Sequence, residues 1–236
     1  MAPVTIRATD VVALPMGEFT FAPDWPYPYA GQTGVVVAYA VRHPGGVFLF
    51  DTGFAAAAPD LVEFYARWAV RPRDLAEVLG EAGIGIGDVT ALANCHLHLD
   101  HAGQNDRFPG IPIHVQRLEW AAAHEPDYTF LETIDFAGAS YEQLEGDHEV
   151  APGIRLVPTP GHSPGHQSLV IDAAGGPLLL VGQAVYSHGE WIGLDDAREG
   201  ASSAADGQAY ASSVARLRAL NPKRVLFGHD RRGWPS

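Results

Sequence analysis

The sequence predicts an α/β fold, and three observations predict it. Short apolar runs bounded by turn residues alternate with segments of helical spacing, and the chain is 236 residues long with 47% apolar residues. A chain of this size and composition buries a substantial core, and one domain spanning residues 1–236 is the expectation.

The elements follow in order. Gly34 to His43 is a Val-rich run that reads as a strand, Pro44-Gly45-Gly46 as a turn and Val47 to Phe50 as a second strand, together a hairpin. After Asp51-Thr52-Gly53, the segment Pro72 to Ala82 places Leu75, Val78, Leu79 and Ala82 on one helical face, with Gly83 as its stop. A glycine-rich link from Gly83 to Gly87 leads to a short strand near Val89 to Asn94. Ile111 to Val115 reads as a strand and Gln116 to His124 as a helix. Glu125 to Asp147 is less periodic and aromatic, with Tyr128, Phe130, Phe136 and Tyr141, and suits a pocket cover. Ile154 to Val157, Ser168 to Ile171 and Leu178 to Val181 read as strands. Ala204 to Leu220 carries Tyr210, Val214, Leu217 and Leu220 near helical spacing, and Arg224 to Phe227 is a last strand.

Charge narrows the partners. The chain has 15 Lys plus Arg against 28 Asp plus Glu, a formal charge of -13, so a nucleic-acid polyanion is disfavoured. Met1 to Gly17 lacks the basic flank and apolar run of a signal peptide. No stretch approaches the roughly 20 apolar residues of a membrane span, so a cytoplasmic location without membrane partners is the expectation. Cys95 is the one cysteine, which excludes an internal disulfide, and reads as a small buried thiol at a strand end. Oligomeric state is left open.

The chemistry concentrates in Asn94-Cys95-His96-Leu97-His98-Leu99-Asp100-His101-Ala102-Gly103, which packs three imidazoles and one carboxylate into six positions. Imidazole and carboxylate suit zinc and related divalent ions, and the absence of a cysteine ligand set argues for an open, water-bearing site over a structural zinc knuckle. Two further histidines stand in glycine loops, Thr159-Pro160-Gly161-His162-Ser163 and Gly228-His229-Asp230.

His96-Leu97-His98-Leu99-Asp100-His101 resembles the HxHxDH motif of the metallo-β-lactamase superfamily, and the Gly-His loops at His162 and His229 resemble its later ligand loops. The wording of His96 to Asn105 (HLHLDHAGQN), Ile113 to Arg117 (IHVQR), Val150 to Gly153 (VAPG) and Thr159 to Leu169 (TPGHSPGHQSL) is most similar to the N-acyl-homoserine lactonases, over about Val35 to His229. The resemblance implies a four-layer αββα sandwich with the metal centre on loops at one edge. It implies one metal held by His96, His98 and His162, and another by Asp100, His101 and His229. It also implies that Asp51 orients a metal-binding histidine, and that Tyr186 contacts the substrate carbonyl.

One position departs from the family pattern. Gly182-Gln183 stands where the superfamily carries Gly-Asp, whose aspartate bridges the two metals. Two divalent cations bring about +4, which two aspartates and a hydroxide reduce to about +1, whereas Asp100 and hydroxide leave about +2. The second metal is therefore expected to bind more weakly, with Gln183 offering at most a carbonyl oxygen. Two metals with weak loading, one metal on His96, His98 and His162, and a vestigial site all remain open. Glu190 could supply the missing carboxylate, although a solvated loop glutamate is its ordinary reading. His166 and His188 are expected beside the site as supports or facing solvent, and His43, His114, His124 and His148 as structural or surface residues.

The implied activity is hydrolysis of a small-molecule lactone, of the N-acyl-homoserine lactone kind, or of a related activated ester by a metal-bound hydroxide, with zinc as the ordinary ion and iron or another divalent metal as alternatives. Asp100 is the candidate to pass a proton to the leaving alkoxide. Trp25, Tyr27, Tyr29, Trp120 and the stretch Tyr128 to Phe136 could line an acyl pocket, although core or interface packing is the commoner use of such residues. Thioester hydrolysis or tailoring of a natural product would use the same hydroxide. A mononuclear iron oxygenase or a non-catalytic binder are the readings from other classes.

Overall fold

The computed structural model describes residues 5–24, 30–56, 59–194 and 204–235, and in these it has two β-sheets flanked by helices. The first sheet comprises β1 (Val11–Thr20), β2 (Thr33–His43), β3 (Gly46–Phe50), β4 (Arg71–Pro72), β5 (Val89–Ala93), β6 (Pro112–Gln116) and β7 (Ser140–Leu144). The second comprises β8 (His148–Ala151), β9 (Ile154–Pro158), β10 (Gln167–Ala173), β11 (Gly176–Leu180) and β12 (Arg224–Leu226). The spatial orders are β4-β1-β2-β3-β5-β6-β7 and β12-β11-β10-β9-β8. β1 to β3 are antiparallel, β3, β5, β6 and β7 run parallel, and the second sheet is antiparallel except for the parallel pair of β11 and β12.

Alternation along β2 explains the layering. Val37, Tyr39 and Val41 point to the second sheet, where they meet Ile154, Leu156, Leu169, Ile171, Leu178 and Leu180. Val36, Ala38 and Ala40 point the other way, into a core shared with Leu75, Val78 and Leu79 of the helix Leu75–Glu81. Both faces are buried, so β2 is a nearly unbroken apolar run. On the outer face of the second sheet, Leu217 of the helix Gly207–Ala219 packs with Val157, Val170, Leu179, Val181 and Phe227. The order helix, sheet, sheet, helix is the expected αββα sandwich. Phe48 and Phe50 in the central layer are at most 1% exposed, and each contributes about 1.5–3 kcal/mol by leaving water.

Several expectations move at their edges. The helix expected over Pro72 to Ala82 begins at Leu75, because Asp74 caps it by accepting from the N–H groups of Ala76 and Glu77 at 2.9 and 3.1 Å, while Arg71–Pro72 pair with β1. The helix expected from Ala204 begins at Gly207, capped by Asp206 in the same way. β1 was not anticipated. The strand bulges between Pro15 and Gly17, residue types that ordinarily interrupt a strand, and Gly17 lies so close to Arg71 O that a Cβ would stand 2.6 Å from it. The aperiodic reading of Glu125 to Asp147 is also corrected: Ser140–Leu144 is a strand, parallel to β6, whose polar residues reflect its place at the sheet edge. Among the described residues, no helix is long and apolar enough to cross a membrane. Trp25, Tyr27 and Tyr29 lie outside the described residues.

Candidate metal centre

Five segments bring chemistry to one edge of the sandwich, each leaving the carboxyl end of a strand. Asp51 follows β3, the run Asn94 to His101 follows β5, His162 follows β9, Gln183 follows β11 and His229 follows β12. β3 pairs in parallel with β5 and β11 with β12, and β9 runs in the direction of β11 across the antiparallel β10, so the ends of these strands face the same way. The turn carrying Asp100 and His101 is a single helical turn, Leu99–Ala102, too short to hold itself. It is clamped instead: His101 O accepts from Thr52 N at 2.8 Å, Asn94 Nδ2 at 2.9 Å and Thr52 Oγ1 at 3.1 Å, and Gly103 N donates to Gly53 O at 2.9 Å.

Among the described residues the donor atoms converge in three groups, two of imidazole and carboxylate and a third, Cys95, His96 and His101, that shares a residue with each. His98 Nδ1 lies 2.9 Å from His96 Nε2 and 3.3 Å from His162 Nε2. His101 Nε2 lies 3.3 Å from His229 Nε2 and 3.3 Å from Asp100 Oδ2, which is 3.6 Å from His229 Nε2. Each triple can hold one cation. A four-coordinate zinc-type ion keeps N and O donors at about 2.0–2.2 Å, which puts neighbouring donors about 3.3–3.5 Å apart. The second triple, at 3.3–3.6 Å, lies close to that spacing; in the first, His98 to His162 matches it at 3.3 Å and His98 to His96 is tighter at 2.9 Å, and the chemistry of imidazole and carboxylate fits the same ions.

The remaining ring nitrogens are committed elsewhere. His101 Nδ1 donates to Asp51 Oδ2 at 3.0 Å, and His229 Nδ1 donates to Val35 O at 2.8 Å, so both rings present Nε2. Cys95 Sγ lies 3.2 Å from Nδ1 of His96 and of His101, behind the two triples. Asp51 takes φ 67° and spends its other oxygen on Cys95 N at 2.7 Å.

Burial sets the protonation states. It lowers His98 to about 4, and with the added repulsion of His101 it lowers His229 to about 4. His96 and His162 are pushed well below the ordinary histidine range by burial and then by neighbouring imidazoles. These rings are neutral lone-pair donors. Burial opposes charge on His101 as well, but Cys95, Asp100 and Asp51 around it carry it up. For Asp100, burial is outweighed by His101 and His229, which hold the carboxyl far below the usual carboxylate range.

The other expected residues divide. The ring of Tyr186 is buried against His229, and its backbone N–H donates to Glu190 Oε2 at 2.6 Å. Glu190 is therefore a buried residue of the helix His188–Ile192, which corrects its solvated reading, and it joins neither donor triple. His188 starts that helix with its N–H on Asp230 Oδ2 at 3.0 Å, and it too stands outside the triples. His166 is fully buried rather than solvent-facing: Nε2 accepts from Gln183 N at 3.0 Å and Nδ1 pairs with Thr159 Oγ1 at 2.9 Å, while burial lowers it to about 3. Trp120 packs against Tyr141 with its ring tilted and Phe130 packs on Phe64, whereas the ring of Tyr128 lies 4.6 Å from that of His98. A cleft of about 450 Å³ opens beside His229 and Tyr186, bordered by Phe21, Val35 and Arg231.

Glu119 was missed. It is 1% exposed, while its neighbour Leu118 is 63% exposed, so the helix Arg117–Ala123 turns a carboxylate inward and an aliphatic chain outward. The only signal in the sequence is a place four residues before the buried Ala123, on one helical face.

Comparison with known proteins gives consistent results. The family model of the metallo-beta-lactamase superfamily matches residues 31–229. N-acyl homoserine lactonase AiiA of Bacillus thuringiensis subsp. kurstaki is 37% identical over 209 residues, covering 83% of this chain and 81% of the relative. N-acyl homoserine lactonase AttM of Azorhizobium caulinodans is 32% identical over 234 residues, covering 84% and 82%. Among solved structures, a B. thuringiensis AiiA mutant with N-decanoyl-L-homoserine bound at the active site superposes with a TM-score of 0.80 at 28% identity, covering 98% of this chain and 99% of that one. An N-acyl homoserine lactone hydrolase with the product N-hexanoyl-L-homoserine bound at the catalytic metal center superposes with a TM-score of 0.78 at 27% identity, covering 98% and 99%.

Proposed function

The chain belongs to the metallo-beta-lactamase superfamily, and from that premise we propose that it is a metal-dependent hydrolase that opens the ring of N-acyl homoserine lactones. The observation that carries this reading is the convergence of two donor triples, with spacings of 2.9–3.6 Å, at the sheet edge. The N-acyl homoserine lactonases similar to it over more than four-fifths of its length support the substrate class.

His96, His98 and His162 would hold one ion, and Asp100, His101 and His229 another, with zinc the proposed metal. When bound, such ions supply an acidified water as nucleophile and positive charge for a carbonyl oxygen. The protein's residues do the rest. Asp51 and Val35 O fix the rings of His101 and His229, so no reorganisation is needed as charge develops. Asp100, with a side chain 21% exposed, is the one donor of its triple that solvent reaches. From there the ionised carboxylate can first accept the proton that the attacking water releases and then hand it to the departing ring oxygen as the acyl–oxygen bond breaks, leaving an N-acyl homoserine. Tyr186 walls the cleft next to His229, where it would contact a bound lactone.

The test is ring opening of an N-acyl homoserine lactone followed by acid release at constant pH. Chelation should abolish turnover, zinc should restore it, and His96→Ala and His98→Ala should lack it. Unchanged turnover in those variants would sink the mechanism. Bound iron with oxygen uptake would instead point to an oxygenase, and ligand binding without product to a binder.

A further inference from the structure

Glu119 lies under the first donor triple and takes part in none of the chemistry above. All four of its polar partners donate to it. Oε1 accepts from Leu97 N at 2.8 Å and from the Tyr128 hydroxyl, and Oε2 accepts from Ser163 Oγ at 2.6 Å and Gly165 N at 3.2 Å. Leu97 is the residue between His96 and His98, and Ser163 follows His162. Tyr128 packs its ring on His98. The loop bearing His162 lies directly on this helix, for a Cβ at Gly165 would stand 2.0 Å from Glu119 N.

We propose that Glu119 is the positioning residue of the first metal pocket, a buried carboxylate that sets the mutual spacing of His96, His98 and His162. This deepens the metal-centre reading and rests on it. Four donors and two carboxylate oxygens match, since an ionised carboxylate offers about four acceptor sites and no proton. A glutamine replaces it poorly. Its single oxygen satisfies one pair of donors, and its amide would face the backbone N–H of the other pair donor to donor, while the hydroxyl of that pair would have to turn and accept. The second triple has its own buried carboxylate, Asp51, bonded to Cys95 N and His101 Nδ1. Cys95 links the two braces, but none of the partners of Glu119 adjoins His229 or contacts the ring of His101, so loss of Glu119 should be felt mainly on the ion of the first triple.

The experiment is a zinc titration against a competing chelator, with cobalt spectra as a second readout. It compares the wild-type chain, Glu119→Gln and Ser163→Ala, with His162→Ala and His229→Ala marking which equivalent belongs to which pocket. Glu119→Gln should weaken the equivalent that His162→Ala removes by about 10–100-fold and leave any other within about threefold. Its cobalt spectrum should change in the same equivalent. Ser163→Ala, which removes one donor and buries nothing new, should weaken that equivalent by less, and it decides the matter if Glu119→Gln does not fold. Unchanged affinity in both variants, or equal weakening of both equivalents, would overturn the proposal. A wild-type chain that takes up no metal is a different result: it ends the metal-centre reading and this inference with it.

Discussion

The rings of Tyr186 and His229 lie nearly parallel, 18° between planes and 4.6 Å between centroids, so the residue proposed to meet substrate also packs against an imidazole of the second donor triple. The two roles can be separated. Tyr186→Phe keeps the ring and removes the hydroxyl; a hydrogen bond to a developing charge contributes about 1.5–3 kcal/mol, so kcat/KM should fall about 10–100-fold with metal content unchanged. Tyr186→Ala should lower metal content as well. Wild-type kinetics for Tyr186→Phe would leave the tyrosine as packing alone.

Asp51 Oδ2 accepts from His101 Nδ1 while its other oxygen holds the backbone of Cys95. In Asp51→Asn, one end of the amide opposes an N–H group. The His101 ring then loses its set tautomer, and affinity for the ion on Asp100, His101 and His229 should drop about 10–100-fold. Metal analysis of the purified variant checks it, with the His96, His98 and His162 equivalent as internal control.

At Gln183 the prediction is a gain. The backbone N–H of this residue is already held by His166 at 3.0 Å, so Gln183→Asp changes the side chain without freeing the loop. A carboxylate there restores the charge that two cations call for, and the weaker equivalent should bind about tenfold or more tightly. Equal zinc content and affinity in wild type and variant would remove the charge argument.

Two glycines contrast packing with propensity. A Cβ on Gly103 would stand 2.1 Å from Ala55 N and 2.5 Å from Leu99 O, so Gly103→Ala should destabilise the fold by about 2–4 kcal/mol through the turn that carries Asp100 and His101. Gly80, in the helix Leu75–Glu81, has nothing within 4 Å of such a Cβ, and Gly80→Ala should stabilise by about 0.5–1 kcal/mol. Denaturant melts of the two variants should move in opposite directions.

The strands that were legible are those whose burial leaves a mark along the chain. Val35, Val36 and Val37 in β2 and Val47 to Phe50 in β3 are apolar because both faces of their sheet are covered. β1 was hidden by Pro15 and Gly17, which its bulge accommodates, and β7 by the polar residues of an edge strand. Within the site, His96, His98, Asp100 and His101 are legible because adjacent donors in one turn must sit together in space. Glu119 is not, because its four partners come from Leu97, Tyr128, Ser163 and Gly165.

By itself the sequence determined the α/β character, the identity of the donor residues and the departure at Gln183, since each is a matter of local pattern or residue chemistry. The family resemblance already implies that His162 and His229 serve different triples and that Asp51 orients a histidine; only the tertiary structure decided which atoms meet, that the histidine Asp51 holds is His101, that Glu119 meets the loops of the first triple, and that Glu190 is buried. Those are contacts between segments more than 20 residues apart in most cases, and their geometry follows from where two sheets end, which no local spacing records.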